Sequence, residues 1–159
     1  MNYTAALLYV ILWSAVVACS QAPAPVALSG PLRDHVSDER FQIVTSIRGL
    51  PLGVRGALQA LFGTGTLDIA EPGGDFQLSD MRVNVPSRRL MVAGCSYEHC
   101  LVYYVRGGIA HTWRMALFHW TPEATRFEWG GSAPSGLKTI DEVRRAILSG
   151  TITDPAGSW

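Results

Sequence analysis

Residues 89–106 read RLMVAGCSYEHCLVYYVR, two apolar runs rich in Val, Leu and Tyr on either side of Cys95 and Cys100. Runs of this length and composition are strand formers. Four intervening residues let the chain turn back so that two cysteine Cβ atoms meet. The segment therefore predicts two strands joined by a short loop, and the following residues extend the pattern. Gly107 and Gly108 supply a turn, HTWRMALFHW is a third strand, and TRFEWGG is a fourth. In the third, Trp113, Met115, Leu117 and His119 alternate with Arg114, Ala116, Phe118 and Trp120. Both faces carry apolar bulk, which predicts a central strand covered by a helix.

TIDEVRRAILSG, residues 139–150, supplies such a helix. Thr139 and Glu142 form a capping box, and Ile140, Val143, Ala146 and Ile147 make one apolar stripe. Arg144 and Arg145 sit toward the end where the helix dipole favours cations, and Gly150 stops the helix. A second helix is expected over residues 50–63, with Leu52, Leu58, Leu61 and Phe62 toward one side and Gly63 as terminator. A third is expected to open in SDERFQIVTSI with Ser37 as its cap, and Thr66–Ile69 and Phe76–Val85 read as strands. Together these features give an α+β domain, an antiparallel sheet with packed helices and a disulfide-closed loop.

The loop itself admits three chemistries. A redox dithiol normally needs two residues between its cysteines at a helix start, and here there are four between strands. Structural zinc needs four converging ligands, and His99 beside Cys100 points to the opposite face of an extended chain. His111 and His119 share a face with Trp113, Met115 and Leu117, which suits packing better than ligation. A disulfide asks for least. It would hold Ser96, Tyr97, Glu98 and His99 out as a rigid knob, which lowers the entropy cost of binding a partner; the alternative is a hairpin tip stapled for stability. No metal and no cofactor is expected. Ser96 has no assigned oxyanion donors and His99 no buried acid behind it, so the reading is of a protein that is not an enzyme.

Charge narrows the partners. Thirteen basic residues, twelve of them arginine, balance thirteen acidic ones, and all lie beyond residue 32. No basic patch of the kind a phosphate backbone requires is present, so no nucleic acid is expected. The uncharged apolar run from Ala5 to Ala18 is shorter than the roughly 20 residues that span a bilayer and matches a secretory signal. VVAC, residues 16–19, resembles the lipobox of bacterial lipoproteins, which implies a signal peptide over residues 1–18 and a lipid on Cys19. QAPAPVALSGP then reads as a tether within residues 19–32, leaving residues 33–159 as a single globular domain. With Cys19 lipidated or removed, Cys95 and Cys100 remain to pair in an oxidising compartment.

From the cysteine loop onward the order of features resembles the family of inhibitors of vertebrate-type lysozyme, periplasmic or lipid-anchored bacterial proteins. That family presents a loop reading Cys-Lys-Pro-His-Asp-Cys to the lysozyme cleft. Cys95 and Cys100 correspond directly; Ser96 stands at the lysine, Tyr97 at the proline, Glu98 at the histidine and His99 at the aspartate. The resemblance covers about residues 88–152 and includes an aromatic strand end, Phe127-Glu128-Trp129-Gly130, and a late helix. It implies a lysozyme or another envelope component as protein partner.

The expected function is thus an exported lipoprotein, periplasmic and lipid-anchored to the outer membrane, that binds or inhibits a partner through Ser96, Tyr97, Glu98 and His99. Arg106, Arg114 and His111 are expected as neighbours of that loop. The alternative is a structural envelope lipoprotein whose loop binds nothing.

Overall fold

The strand order is β1-β2-β3-β4-β5, every neighbour antiparallel. In the computed structural model, which describes residues 27–79, 84–153 and 159, the strands are β1 (Gln42–Val44), β2 (Arg88–Cys95), β3 (His99–Arg106), β4 (Thr112–Trp120) and β5 (Thr125–Ser132). Among the described residues, three α-helices accompany them, α1 (Gly30–Asp38), α2 (Leu52–Phe62) and α3 (Ile140–Leu148). The α+β class, the antiparallel sheet and the loop closed by Cys95–Cys100 are as the sequence predicts. The expected signal peptide, Cys19 and the start of the tether lie outside the described residues. Among the described residues, no helix is long and apolar enough to cross a membrane.

β3 has almost no polar alternation, and a strand of that kind must be covered on both faces. Cys100, Val102 and Tyr104 face Val54, Leu58 and Phe62 of α2, with Ala116 and Phe118 of β4 beside them. Leu101 and Tyr103 face the other way, with Met115, Leu117 and Trp129, under Val36 of α1 and the stripe of α3. The result is three layers, helix on sheet on helices. Tyr103 brings a hydroxyl into the second core and donates it to the Pro134 carbonyl at 2.8 Å, as burial of a polar group requires.

Helix α1 begins inside the segment expected to be tether and ends where a helix was expected to open, a correction at both ends. Ser29 caps it and Pro31 occupies its first turn, a start signature that lies before the charged residues. Ser37 therefore sits in its last turn, and the chain continues into β1. Arg144 of α3 donates to the Val36 carbonyl at 2.8 Å, and Arg33 of α1 donates to the Leu148 carbonyl at 2.7 Å. These reciprocal bonds hold the end of α1 over the sheet.

In α2 the buried residues are Val54, Leu58 and Phe62, a spacing of four, which turns Leu52 to solvent at 76% exposure. Gly63 ends the helix at φ +64°, where a residue without Cβ carries no steric penalty. Gly53 lies against Thr125, whose Oγ1 would be 2.1 Å from an added Cβ, so this glycine lets α2 approach β5. Thr139 caps α3 as predicted, its Oγ1 accepting the Glu142 N–H at 3.2 Å, and Glu142 reaches back to the backbone ahead of the helix, accepting the Lys138 N–H at 2.6 Å.

The expected strand over Thr66–Ile69 is reduced to one parallel bridge, Ala70 to Arg89. β1 already pairs with the Ala93–Cys95 end of β2, leaving only its first residues open to Ala70. Among the described residues of Phe76–Val85 there is likewise no strand; residues 80–83 lie outside the description.

Candidate functional site

Cys95 and Cys100 are direct register partners in the β2–β3 hairpin, their Cα atoms 4.1 Å apart and their sulfurs bonded. Between them the backbone is tied inward. Ser96 N–H donates to the His99 carbonyl at 2.7 Å, and Ser96 Oγ accepts from the His99 N–H at 2.9 Å and the Glu98 N–H at 3.3 Å. Trp120 braces the loop from β4, its N–H on the Glu98 carbonyl at 2.8 Å and its indole N–H on the Ser96 carbonyl at 3.3 Å.

Only part of the expected knob stands out. Tyr97 projects at 88% exposure and Glu98 is partly exposed, whereas Ser96 turns inward and His99 is 3% exposed. The reason is the strand period. His99 is the first residue of β3, on the face shared with Leu101 and Tyr103, and its cross-strand partner is His119, with ring centroids 5.4 Å apart. The expected neighbours Arg106, His111 and Arg114 lie toward the other end of the sheet. Arg106 pairs with Thr112, seven residues along β3 from His99, roughly 24 Å at about 3.4 Å per residue. Arg114 is buried and donates to Ser132 Oγ at 2.8 Å, and His111 is exposed beside Phe76.

His99 also meets two partly buried carboxylates that the sequence did not show, which corrects the expectation that no acid lies behind it. Glu39, at the end of α1, places Oε1 2.7 Å from His99 Nδ1 and 2.7 Å from His35 Nδ1, and its Oε2 accepts a short bond from Ser96 Oγ. Burial alone would raise the Glu39 carboxyl; the bonds from Ser96 and His99, with the His99 charge and His35, outweigh it and leave the group below its ordinary value. An ionised carboxylate only accepts, so the proton of the His99 bond lies on Nδ1. On the other side, Glu128 Oε2 is 3.2 Å from His99 Nε2, yet it is buried and has no aligned hydrogen bond.

Glu128 reaches this place through a β-bulge. Leu117 pairs with Trp129 and Phe118 with Phe127, so Glu128 is the extra residue of β5. A bulge re-aims a side chain that strict alternation would direct elsewhere. His35, His99, His119, Glu98 and Glu128 line a cleft of about 530 Å³ on the α1 side of the sheet. Among the described residues, two sets of side chains have the donors to hold a metal, His35 with Glu39 and His99, and His99 with His119 and Glu128. His35 and Glu39, four apart on one helix, carry a spacing that could have been noticed; the bulge at Glu128 leaves no mark in the sequence.

On the opposite side of the loop, Ile43, Val44, Pro51, Trp120 and Pro122 line a groove of about 660 Å³ that runs to Tyr97. Ile43, on the outer strand β1, is 70% exposed. The chain matches no family model, no curated protein and no solved structure.

Proposed function

We propose that this protein is a non-enzymatic binding or inhibitor module, exported and lipid-anchored through Cys19 in the bacterial envelope, that offers the Cys95–Cys100 tip to a protein partner. The observation that carries this reading is Tyr97, 88% exposed on a loop whose backbone is held by a disulfide and by bonds to β4. A large amphipathic side chain on a rigid support binds at low entropic cost. Ile43 and the groove beside it add apolar area that a partner would bury. The chain has zero formal net charge, so shape and apolar burial rather than long-range steering drive association.

A vertebrate-type lysozyme is the first partner to test, because the paired cysteines and the following strands resemble the inhibitor family. With His99 turned inward, Tyr97 is the group that enters the cleft, and Glu98 would oppose the enzyme's own acids. Titration of lysozyme with the full oxidised chain is expected to give stoichiometric loss of cell-wall hydrolysis. Tyr97→Ala is expected to abolish the inhibition with an unchanged melting temperature. If lysozyme is unaffected at micromolar excess, capture from envelope extract by the wild type and by Tyr97→Ala decides the broader reading: identical capture by both would leave the tip a structural staple.

A further inference from the structure

We propose that His99, His119 and Glu128 form a binding site for a divalent first-row transition metal ion, best matched by Zn²⁺, distinct from the Tyr97 surface. Neutral imidazole nitrogens and one carboxylate oxygen are a ligand set that zinc accepts, with a further position left for water or another donor.

Three observations converge on this set. Glu39 accepts the His99 Nδ1–H, so a ring that gives up its other proton to a metal presents Nε2 as a lone pair on the Glu128 side. Glu128 Oε2 faces it at 3.2 Å as a second acceptor, buried and without a hydrogen bond. With the ring neutral the two atoms are both acceptors, and a cation between them satisfies both in place of the proton of the His99–Glu128 ion pair. His119 supplies the third donor, with the ligand atoms of the three residues all within 4.8 Å of one another. Bonds of about 2.0–2.1 Å in tetrahedral geometry put donor atoms about 3.4 Å apart, so His99 and Glu128 already stand at a ligating separation.

The surroundings fit the same purpose. A carboxylate on the far nitrogen of a ligating histidine fixes its tautomer and raises its basicity, the part Glu39 plays here. Arg126 holds Glu128 Oε1 at 2.7 Å and leaves Oε2 to face the histidines. The cleft lined by these residues provides an entry path. The competing set of His35, Glu39 and His99 is already closed by its own hydrogen bonds, which is why the ion is assigned to the Glu128 side.

The test uses the untagged, oxidised full chain, stripped with a chelator and titrated with ZnCl₂ by calorimetry. One Zn²⁺ per chain is expected. His119→Ala and Glu128→Gln should each weaken binding at least tenfold, and Glu39→Gln roughly tenfold or more. His111→Ala, at the other end of the sheet, should leave it unchanged. Circular dichroism and melting report whether each variant is folded. Should a variant unfold, Co²⁺ titration of the wild type replaces it, with tetrahedral d–d bands free of thiolate charge transfer as the expected spectrum. No zinc binding at high micromolar metal, binding indifferent to both His119→Ala and Glu128→Gln, or the absence of Co²⁺ bands would overturn the proposal. Loss on His35→Ala with Glu128→Gln silent would also overturn it, by placing the ion on the other set.

Discussion

The two ends of the β2–β3 hairpin each bury a group that can carry positive charge, and they answer it differently. At the open end Arg88, 4% exposed, gives Nη1 to Asp68 at 2.7 Å and to Ser87 Oγ at 3.0 Å, and Nη2 to the Trp159 main-chain oxygen. Its guanidinium lies 4.1 Å from the centre of the Phe62 ring. Asp68 in turn accepts the Ser87 N–H at 2.8 Å. At the closed end His99 is satisfied on one nitrogen only, and the other meets a carboxylate oxygen without a hydrogen bond beside an open cleft. The first arrangement locks loops and the chain's last described residue onto the sheet. Arg88 Nε is likewise buried without a hydrogen bond, but the protein encloses it, whereas the second arrangement sets its unbonded oxygen beside a cleft, which is what separates a site from a structural knot.

Removing partners should expose this difference. The largest effect is expected from Asp68→Ala, which leaves Arg88 charged and buried with its carboxylate gone. A loss of about 3 kcal/mol in urea unfolding is expected, with zinc titration of the folded fraction unchanged. Equal loss of metal binding would mean that the two ends are coupled.

Next in size is the alkaline behaviour of the same end. Burial pushes the Tyr104 phenol up to about 12 from 10.0, against the opposing charges of Arg88 and Arg114. A raised folded-state pKa contributes stability that is whole below the unfolded value and lost as pH climbs through about 12. Tyr104→Phe should therefore flatten the fall in unfolding free energy above pH 10 by roughly 2 kcal/mol. Ultraviolet titration should lose its latest-ionising phenol in this variant; a late phenol that persists would assign the shift to another tyrosine.

The smallest effect is expected at the closed end. Without metal, Glu128→Gln exchanges a carboxylate oxygen that has no hydrogen bond for an amide and gives up ion pairs to the largely exposed Arg126 and to a protonated His99, so the unfolding free energy should fall by no more than about 1 kcal/mol. A metal-free loss as large as that of Asp68→Ala would erase the contrast and make Glu128 structural.

Much of the fold was legible because its signals are local. The four long strands, the turn at Gly107-Gly108 and the capped α3 follow from alternation, from glycine and from Thr139 at a helix start. The corrections fall where position in the fold overrides local pattern. Leu52 belongs to an apolar helix by composition, yet the face chosen by Val54, Leu58 and Phe62 turns it outward. Ala70 finds only a short open edge of β2, so the strand expected before it does not propagate.

The candidate site divides along the same line. Cysteine spacing within one hairpin determined the loop, but that His99 turns inward while Tyr97 stands out was set by where β3 begins and by the pairing of His99 with His119. That His99 meets Glu39 across a separation of 60 residues, and Glu128 through a bulge in β5, was decided only by the tertiary structure. Such contacts depend on strand order and on how the ends of α1 are clamped to α3. Those are properties of the whole packed chain, which short-range residue patterns do not encode.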